Sequence, residues 1–170
     1  MADEPAPPDP AFARYTQLAF PAYRYVPGRG PHPRRDPGGH SYRRPEPRSA
    51  PLDPAEWAQS SVYLYGVDLF NYAYWWEAHE SFEAIWQVAD KDGPLGQMLQ
   101  GLIQIAAGNL KRFMEAESAA QKLGARGLAR LGTVPSPFLG IDVRAFEAEA
   151  RGYLAGEREK PALIRLVLPA

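Results

Sequence analysis

Apolar residues recur at three- and four-residue steps along the second two thirds of the chain. This spacing places them on one face of a helix, and such a face is buried against other helices. The pattern predicts helices over residues 54–71, 74–89, 95–114, 116–131 and 143–156. Short loops between successive helices make neighbours antiparallel. We therefore expect an all-α fold, an antiparallel bundle of about five helices built from αα-hairpins, with a long non-regular N-terminal arm.

Local signals mark the ends of several predicted helices. Asp53 followed by Pro54 predicts a start, because an Asp side chain caps the first turn and Pro fits the first helical position. Asp142 is the expected N-cap of the last helix. A polar turn at residues 90–94 separates the second and third helices. The apolar tail at residues 162–168 is expected to form either a short helical turn or an extended packing segment.

The composition changes sharply near residue 54. The first 54 residues hold 13 of the 18 prolines and eight arginines but no lysine. Proline removes a backbone donor and disfavours helix at the preceding residue, so we expect an extended arm over residues 1–52 and a helical domain over residues 53–170. A disordered tail is the alternative, but we favour an arm that packs on the core, because disordered segments are poor in aromatic residues. The aromatic residues of the arm are Phe12, Tyr15, Phe20, Tyr23, Tyr25 and Tyr42.

Charge and composition narrow the classes of function. The net charge of −1 does not favour binding to nucleic acid or to an acidic membrane surface. The absence of cysteine excludes disulfides, thiolate metal sites and a cysteine nucleophile. No stretch approaches the roughly 20 apolar residues that span a bilayer, and the first residues do not resemble a secretory signal. We therefore expect a soluble cytoplasmic protein.

The second predicted helix carries the densest group of polar and aromatic side chains. His79 and Glu83 are four residues apart and Glu80 and Glu83 are three apart, so on a helix they share one patch. Trp76 lies on the same side, next to the apolar stripe of this helix, which is formed by Trp75, Ala78, Phe82, Ile85 and Ala89. The candidate ligand-binding residues on this helix are Trp76, Glu77, His79, Glu80 and Glu83.

The third predicted helix adds two glutamines. Gln100 and Gln104 form a polar stripe on an otherwise apolar helix. A buried polar group without a partner costs about 1–3 kcal/mol, so these amides need partners, and the polar groups of the second helix are the natural ones. Gly101 between them would let the two helices approach closely. We expect Gln100 and Gln104 to complete a polar pocket between helices two and three.

These two segments carry a family resemblance. The pattern LFN…Y…WEAHE…E…W, followed about twenty residues later by LQGLIQIAA, resembles the signature of the domain of unknown function 309 family. The resemblance covers roughly residues 60–130. It implies an all-helical fold and supplies no activity. It also implies that the motif positions are Glu77, His79, Glu80, Glu83, Gln100, Gly101 and Gln104.

Three interpretations of the polar residues stay open. In the first, His79 hydrogen-bonds Glu83 or a glutamine, and this network fixes the packing of the helices. In the second, indole rings and convergent polar groups form a pocket for an unknown small molecule or peptide. The arginines of the arm would then give a positive rim for an anionic partner. These arginines are Arg29, Arg34, Arg35, Arg43 and Arg44.

The third interpretation is a divalent metal bound by His79 and Glu83, completed by His32 or His40 of the arm. It would make the protein a metal-dependent hydrolase-like enzyme, with Glu80 or Glu83 as ligand or general base. The ligand set in the helix is incomplete, because it lacks the second histidine of His-Glu-x-x-His zinc sites. We favour a binding or interaction module, with catalytic residues and cofactor unknown. A homodimer is compatible with the exposed aromatic residues.

Overall fold

The computed structural model describes residues 3–170, which form helices connected by short loops and a long N-terminal arm. The five α-helices are α1 (Ser61–Asn71), α2 (Trp75–Trp86), α3 (Pro94–Phe113), α4 (Glu117–Leu131) and α5 (Val143–Leu154). The expected all-α bundle is confirmed, and the expected ends of helices two to five agree with these bounds within three residues. None of the helices within residues 3–170 has the length and apolar character needed to cross a membrane.

The first predicted helix is wrong in one respect, because it is broken at Ser60. Residues Pro54–Gln59 form a 3₁₀ helix capped by Asp53, and α1 begins only at Ser61. Ser60 has an extended backbone, with φ −81° and ψ 103°, and its hydroxyl accepts the N–H of Tyr63 at 3.2 Å. Serine competes for backbone N–H groups in this way at helix starts, which ends one helix and caps the next.

The core lies where α1, α2 and α3 pack together. The stripe predicted on α2 is buried at Phe82 and Ile85 and packs against the inner faces of α1 and α3. The largest fully buried side chains are Tyr63, Phe70, Phe82, Ile85, Met98, Leu99, Leu102, Ile105, Leu131, Ile141 and Ile164. Most of these residues lie on different helices, so the apolar faces predicted from the sequence meet in one cluster, which the loop residue Ile141 and the tail residue Ile164 join.

Gly101 allows close approach between α3 and α4, not between α2 and α3. A Cβ added to Gly127 would lie 2.9 Å from the carbonyl oxygen of Gly101, and one added to Gly101 would lie 2.9 Å from a methyl carbon of Leu131. The expectation that Gly101 lets helices two and three approach is therefore wrong. The missing side chains instead let the backbones of α3 and α4 touch.

The C-terminal tail runs extended across the bundle. Ile164 is fully buried, and its backbone N–H and C=O both bond the side chain of Asn71 on α1. Leu166 forms an isolated antiparallel bridge with Ile141 in the loop before α5. Of the two forms expected for this tail, the structure has the extended packing segment.

The arm lies against α1 and α2 and is held by buried polar groups. The Asp68 carboxylate on α1 accepts the backbone N–H groups of Tyr15 and Thr16, at 2.8 and 2.9 Å, and the Thr16 hydroxyl at 2.7 Å. Phe20 packs its ring between those of Tyr72 and Tyr74. These contacts bring the arm to the face of α2 that carries the candidate residues. The domain boundary expected at residue 52 stays a prediction.

Candidate functional site

A buried histidine–glutamate pair joins the arm to α2. The Nε2 atom of His40 lies 2.8 Å from Oε1 of Glu77, and the two side chains are only 4% and 5% exposed. The same oxygen accepts the backbone N–H of Tyr25 at 3.0 Å. A carboxylate can only accept, so the proton between the two residues belongs to His40 Nε2. In the neutral ring, Nδ1 then carries a lone pair.

That lone pair faces a hydroxyl group. The Nδ1 atom of His40 lies 2.9 Å from Oγ of Ser41, so the serine donates and the imidazole accepts. The other carboxylate oxygen of Glu77, Oε2, is buried and has no hydrogen-bond partner among the described residues. Ser41, His40 and Glu77 thus form a chain of hydrogen bonds that starts in the arm and ends on α2.

The loop that carries His40 and Ser41 has a fixed shape. The N–H of Ser41 donates to the Pro33 carbonyl at 2.9 Å, and the N–H of His40 donates to the Tyr23 hydroxyl at 3.2 Å. A Cβ at Gly39 would lie 2.3 Å from the Pro33 carbonyl oxygen, so only glycine fits there. Burial raises the pKa of Tyr23 above 10.0, and its hydroxyl donates to the Pro31 carbonyl at 2.7 Å. These contacts hold the histidine and the serine in place.

An ion pair lies one helical turn further along α2. The Nε and Nη2 atoms of Arg34 donate to the two carboxylate oxygens of Glu80, at 3.2 and 3.1 Å. The Nη1 atom of the same guanidinium donates to the Pro45 carbonyl at 2.8 Å. Two parallel bonds of this kind fix the orientation of both side chains. Arg34, one of the arginines expected to give a positive rim, is therefore bonded to Glu80, and the positive rim itself stays a prediction.

Trp76 is the centre of a group of rings. Tyr25 meets it edge to face at 5.0 Å between ring centroids, and His32 and His79 do so at 5.9 and 4.8 Å. Its indole Nε1 is buried without a hydrogen-bond partner among the described residues. The arm supplies two of the three rings around Trp76, so this part of the site exists only when the arm is docked.

His79 does not form the hydrogen bond expected with Glu83. Its Nδ1 atom contacts the Trp76 carbonyl oxygen, so this nitrogen carries the proton. Its Nε2 atom lies 3.9 Å from Oε2 of Glu83, which is an ion-pair distance and too long for a hydrogen bond. In the neutral ring, Nε2 is therefore an acceptor with a carboxylate beside it.

Two adjoining cavities lie between the arm and α2. The first has a volume of about 310 Å³, and its lining includes Arg35, Glu46, Trp76, His79 and Glu83. The second has a volume of about 240 Å³, and its lining includes Phe20, His40, Ser41, Arg44, Tyr65 and Glu77. Arg34, Pro47 and Glu80 line both cavities and form the wall between them. Five residues predicted on helix two line one cavity or both.

The two predicted glutamines lie elsewhere. Gln104 accepts a hydrogen bond from Nε of Arg130 on α4, at 3.2 Å, and the same guanidinium reaches Gln97 at 3.0 Å. Gln100 is half-buried, and neither glutamine lines the two cavities. The expectation that Gln104 meets the polar groups of helix two is therefore wrong. Its partner, Arg130, lies on α4, which packs against the other side of α3.

The described residues do not provide the set of ligands that the metal hypothesis requires. Among residues 3–170, no group of three or more His, Asp and Glu side chains is arranged to hold a metal ion. His32 and His40 do approach α2, but His32 packs on Trp76 while His40 bonds Glu77. Their separate roles explain why they do not complete a site with His79 and Glu83.

Sequence reasoning missed Ser41 and gave His40 and Arg34 only general roles. The partners of His40 and Arg34 on α2 lie 37 and 46 positions further along the chain, respectively. One signal was available. Helix two carries several carboxylates next to its apolar stripe, and a carboxylate that becomes buried needs a cation or a hydrogen-bond donor as its partner. That signal shows that partners exist but does not say which residues they are.

The fold and the site define an all-helical bundle protein with polar cavities between its arm and its second α-helix. Residues 63–123 match the model of a family described as a domain of unknown function (DUF309). The resemblance expected from its two motifs is confirmed. No curated protein and no solved structure matches the chain. The match includes α2 but not the arm, so His40, Ser41 and Arg34 lie outside it.

Proposed function

We propose that the protein is a small-molecule-binding module whose first cavity takes a compact organic cation, such as a primary amine. The observation that carries this proposal is the surplus of acceptors in that cavity. Glu46, Glu80 and Glu83 line it against Arg34 and Arg35, and Arg34 is already bonded to Glu80. The cavity therefore has more negative than positive groups available to a ligand.

Individual contacts support the same class of ligand. The Nε2 atom of His79 is an acceptor next to the Glu83 carboxylate, and an ammonium group can donate to both. Trp76 lines the cavity, and ring faces attract cations by about 0.5–2 kcal/mol. The volume of about 310 Å³ is at the lower end of ligand sites, which fits a small molecule.

The proposal is tested by titration calorimetry with small amines and with matched anions. We expect ethylamine and 1,4-diaminobutane to bind, and acetate and phosphate to bind more weakly or not at all. Glu83→Gln removes one carboxylate and should weaken amine binding about tenfold or more, because a charged hydrogen bond is worth roughly 1.5–3 kcal/mol.

The matched control is Glu117→Gln, which removes an exposed carboxylate on α4. Glu117 is distant in sequence from the residues that line the cavity. It should leave amine affinity unchanged. Stronger binding of the anions, or equal amine affinity of the wild type and Glu83→Gln, would reject an organic cation as the ligand. A cytoplasmic location belongs to this proposal as well and is tested by cell fractionation.

A further inference from the structure

The second cavity contains an arrangement that the binding proposal does not use. Ser41, His40 and Glu77 form a continuous chain, with 2.9 Å from Oγ to Nδ1 and 2.8 Å from Nε2 to Oε1. All three residues line the cavity. Nucleophilic catalysis by serine needs these roles in this order, which are a hydroxyl, an imidazole base and a carboxylate that holds the imidazole.

We propose that Ser41 is a nucleophile that accepts acyl groups from small carboxylic esters, with His40 as general base. The tautomer supports this, because Glu77 holds the proton on Nε2 and so leaves the Nδ1 lone pair facing the serine hydroxyl. Glu77 is buried and keeps the imidazole oriented through the bond to Oε1. The fixed loop around Gly39 preorganises the nucleophile and the base.

The reaction balances with water as the only co-reactant. Ser41 Oγ forms a bond to the ester carbonyl carbon while its proton moves to His40 Nδ1. The ester C–O bond breaks, and His40 returns that proton to the leaving alkoxide, which departs as an alcohol. Water then attacks the acyl-serine, gives a proton to His40, and Ser41 recovers it as the carboxylic acid leaves.

The oxyanion of the tetrahedral intermediates needs a donor, and the cavity offers one. The Ser41 N–H is bonded to the Pro33 carbonyl and is therefore not available. The hydroxyls of Tyr65 and Ser81 donate to the carbonyls of Ala19 and Val62. Arg44 lines the cavity, and its guanidinium forms no described ion pair or hydrogen bond with residues 3–170. A guanidinium can stabilise a developing negative charge, so Arg44 takes this role.

Labelling with a fluorophosphonate tests the proposal on the full chain. This probe forms a stable bond only with activated serines. Peptide mass spectrometry should find the adduct on Ser41, and p-nitrophenyl acetate should be hydrolysed with an initial burst that Ser41→Ala abolishes. Ser118→Ala, which removes an exposed serine on α4, should keep both the label and the burst.

A second variant separates reactivity from packing. Glu77→Gln should slow the labelling of Ser41 by about 100-fold or more, because the imidazole loses the partner that fixes its tautomer. Circular dichroism of each variant reports whether the fold is kept. Arg44→Ala should also slow the labelling of Ser41, and this variant changes no buried residue. Labelling of Ser41 no faster than that of Ser118, or unchanged labelling in folded Arg44→Ala, would overturn the assignment. Failure of amine binding in the first cavity would leave this result unaffected.

Discussion

Asn71 and Ile164 form a reciprocal pair of hydrogen bonds in the core, although 93 positions separate them in the chain. The Asn71 amide donates to the Ile164 carbonyl at 2.8 Å and accepts its N–H at 2.7 Å. One side chain on α1 thus satisfies both backbone groups of a fully buried residue in the tail. This relationship explains why an asparagine stands among the apolar residues at the end of α1.

Replacing that asparagine should loosen the tail. Asn71→Ala leaves two buried backbone groups of Ile164 without partners, and each such group costs about 1–3 kcal/mol, so the free energy of unfolding should fall by roughly 2–6 kcal/mol. Chemical denaturation measures it. Gln121→Ala on the exposed face of α4 should change it by less than about 0.5 kcal/mol. Equal effects of the two variants would contradict the role given to Asn71.

The hold of Asp68 on the arm can be tested by hydrogen exchange. Asp68→Asn replaces a carboxylate that accepts three hydrogen bonds with an amide that has only one acceptor oxygen. The amides of Tyr15 and Thr16 should exchange much faster, while the inner helices stay protected, since the variant affects the docking of the arm. Asp9→Asn removes an exposed carboxylate in the arm itself and should leave both amides protected. Unchanged exchange in Asp68→Asn would exclude Asp68 as the tether.

The contact between α3 and α4 predicts a substitution effect opposite to helix propensity. Alanine favours a helix over glycine by about 1 kcal/mol. Gly127→Ala should nevertheless lower the melting temperature, because its Cβ would lie 2.9 Å from both the Gly101 carbonyl oxygen and a side-chain carbon of Ile105. Ala125→Gly, at an exposed position of the same helix, measures propensity alone. A higher melting temperature for Gly127→Ala would show that the two helices can separate freely.

Tyr63 makes the fold sensitive to alkali. Burial raises the pKa of this phenol above its ordinary value of 10.0, and its hydroxyl donates to the Leu139 carbonyl at 2.9 Å. Its contribution to stability is complete below the unfolded-state pKa. Above it, only the unfolded chain releases the proton, so stability falls by up to about 1.4 kcal/mol per pH unit.

Tyr63→Phe removes this dependence. The variant should be about 1 kcal/mol less stable near neutral pH, because the Leu139 carbonyl loses its donor. Between about pH 10 and about pH 12, its free energy of unfolding should fall less steeply than that of the wild type. Urea denaturation at each pH measures both slopes. Parallel slopes would mean that the Tyr63 phenol ionises as easily in the folded protein as in the unfolded chain.

The helices could be predicted because the spacing of apolar residues is a local property of the chain. Phe82 and Ile85 were expected on an inner face and are fully buried. Ser60 could not be identified as a break, because the apolar steps continue across it and only its hydroxyl interrupts the helix. The periodicity of apolar residues predicts which face of a helix is buried. It does not predict where a side chain replaces a backbone group as hydrogen-bond partner and so ends the helix.

The site was harder to predict because its parts are distant in sequence. The patch on α2 was found from spacing, and its residues do line the cavities. The partner of Gln104 was missed because α3 packs on both α2 and α4, and the sequence does not say which neighbour a half-buried side chain meets. Ser41 was missed and the partner of His40 was not predicted, because an irregular arm has no periodicity that would show which side chains face the helices.

The contacts of the arm set an order of events during synthesis. Its partners Asp68, Glu77 and Glu80 lie 46 to 53 positions after the arm residues Tyr15, Tyr25 and Arg34 that bond them. The ribosome adds about 5–20 residues per second, so roughly 2–10 seconds pass between the synthesis of the arm and the synthesis of the residues on α1 and α2 that bind it. During that interval a newly made chain exposes rings and guanidinium groups that the finished protein covers. Nascent chains halted before α2 should therefore be the form that chaperones bind most strongly.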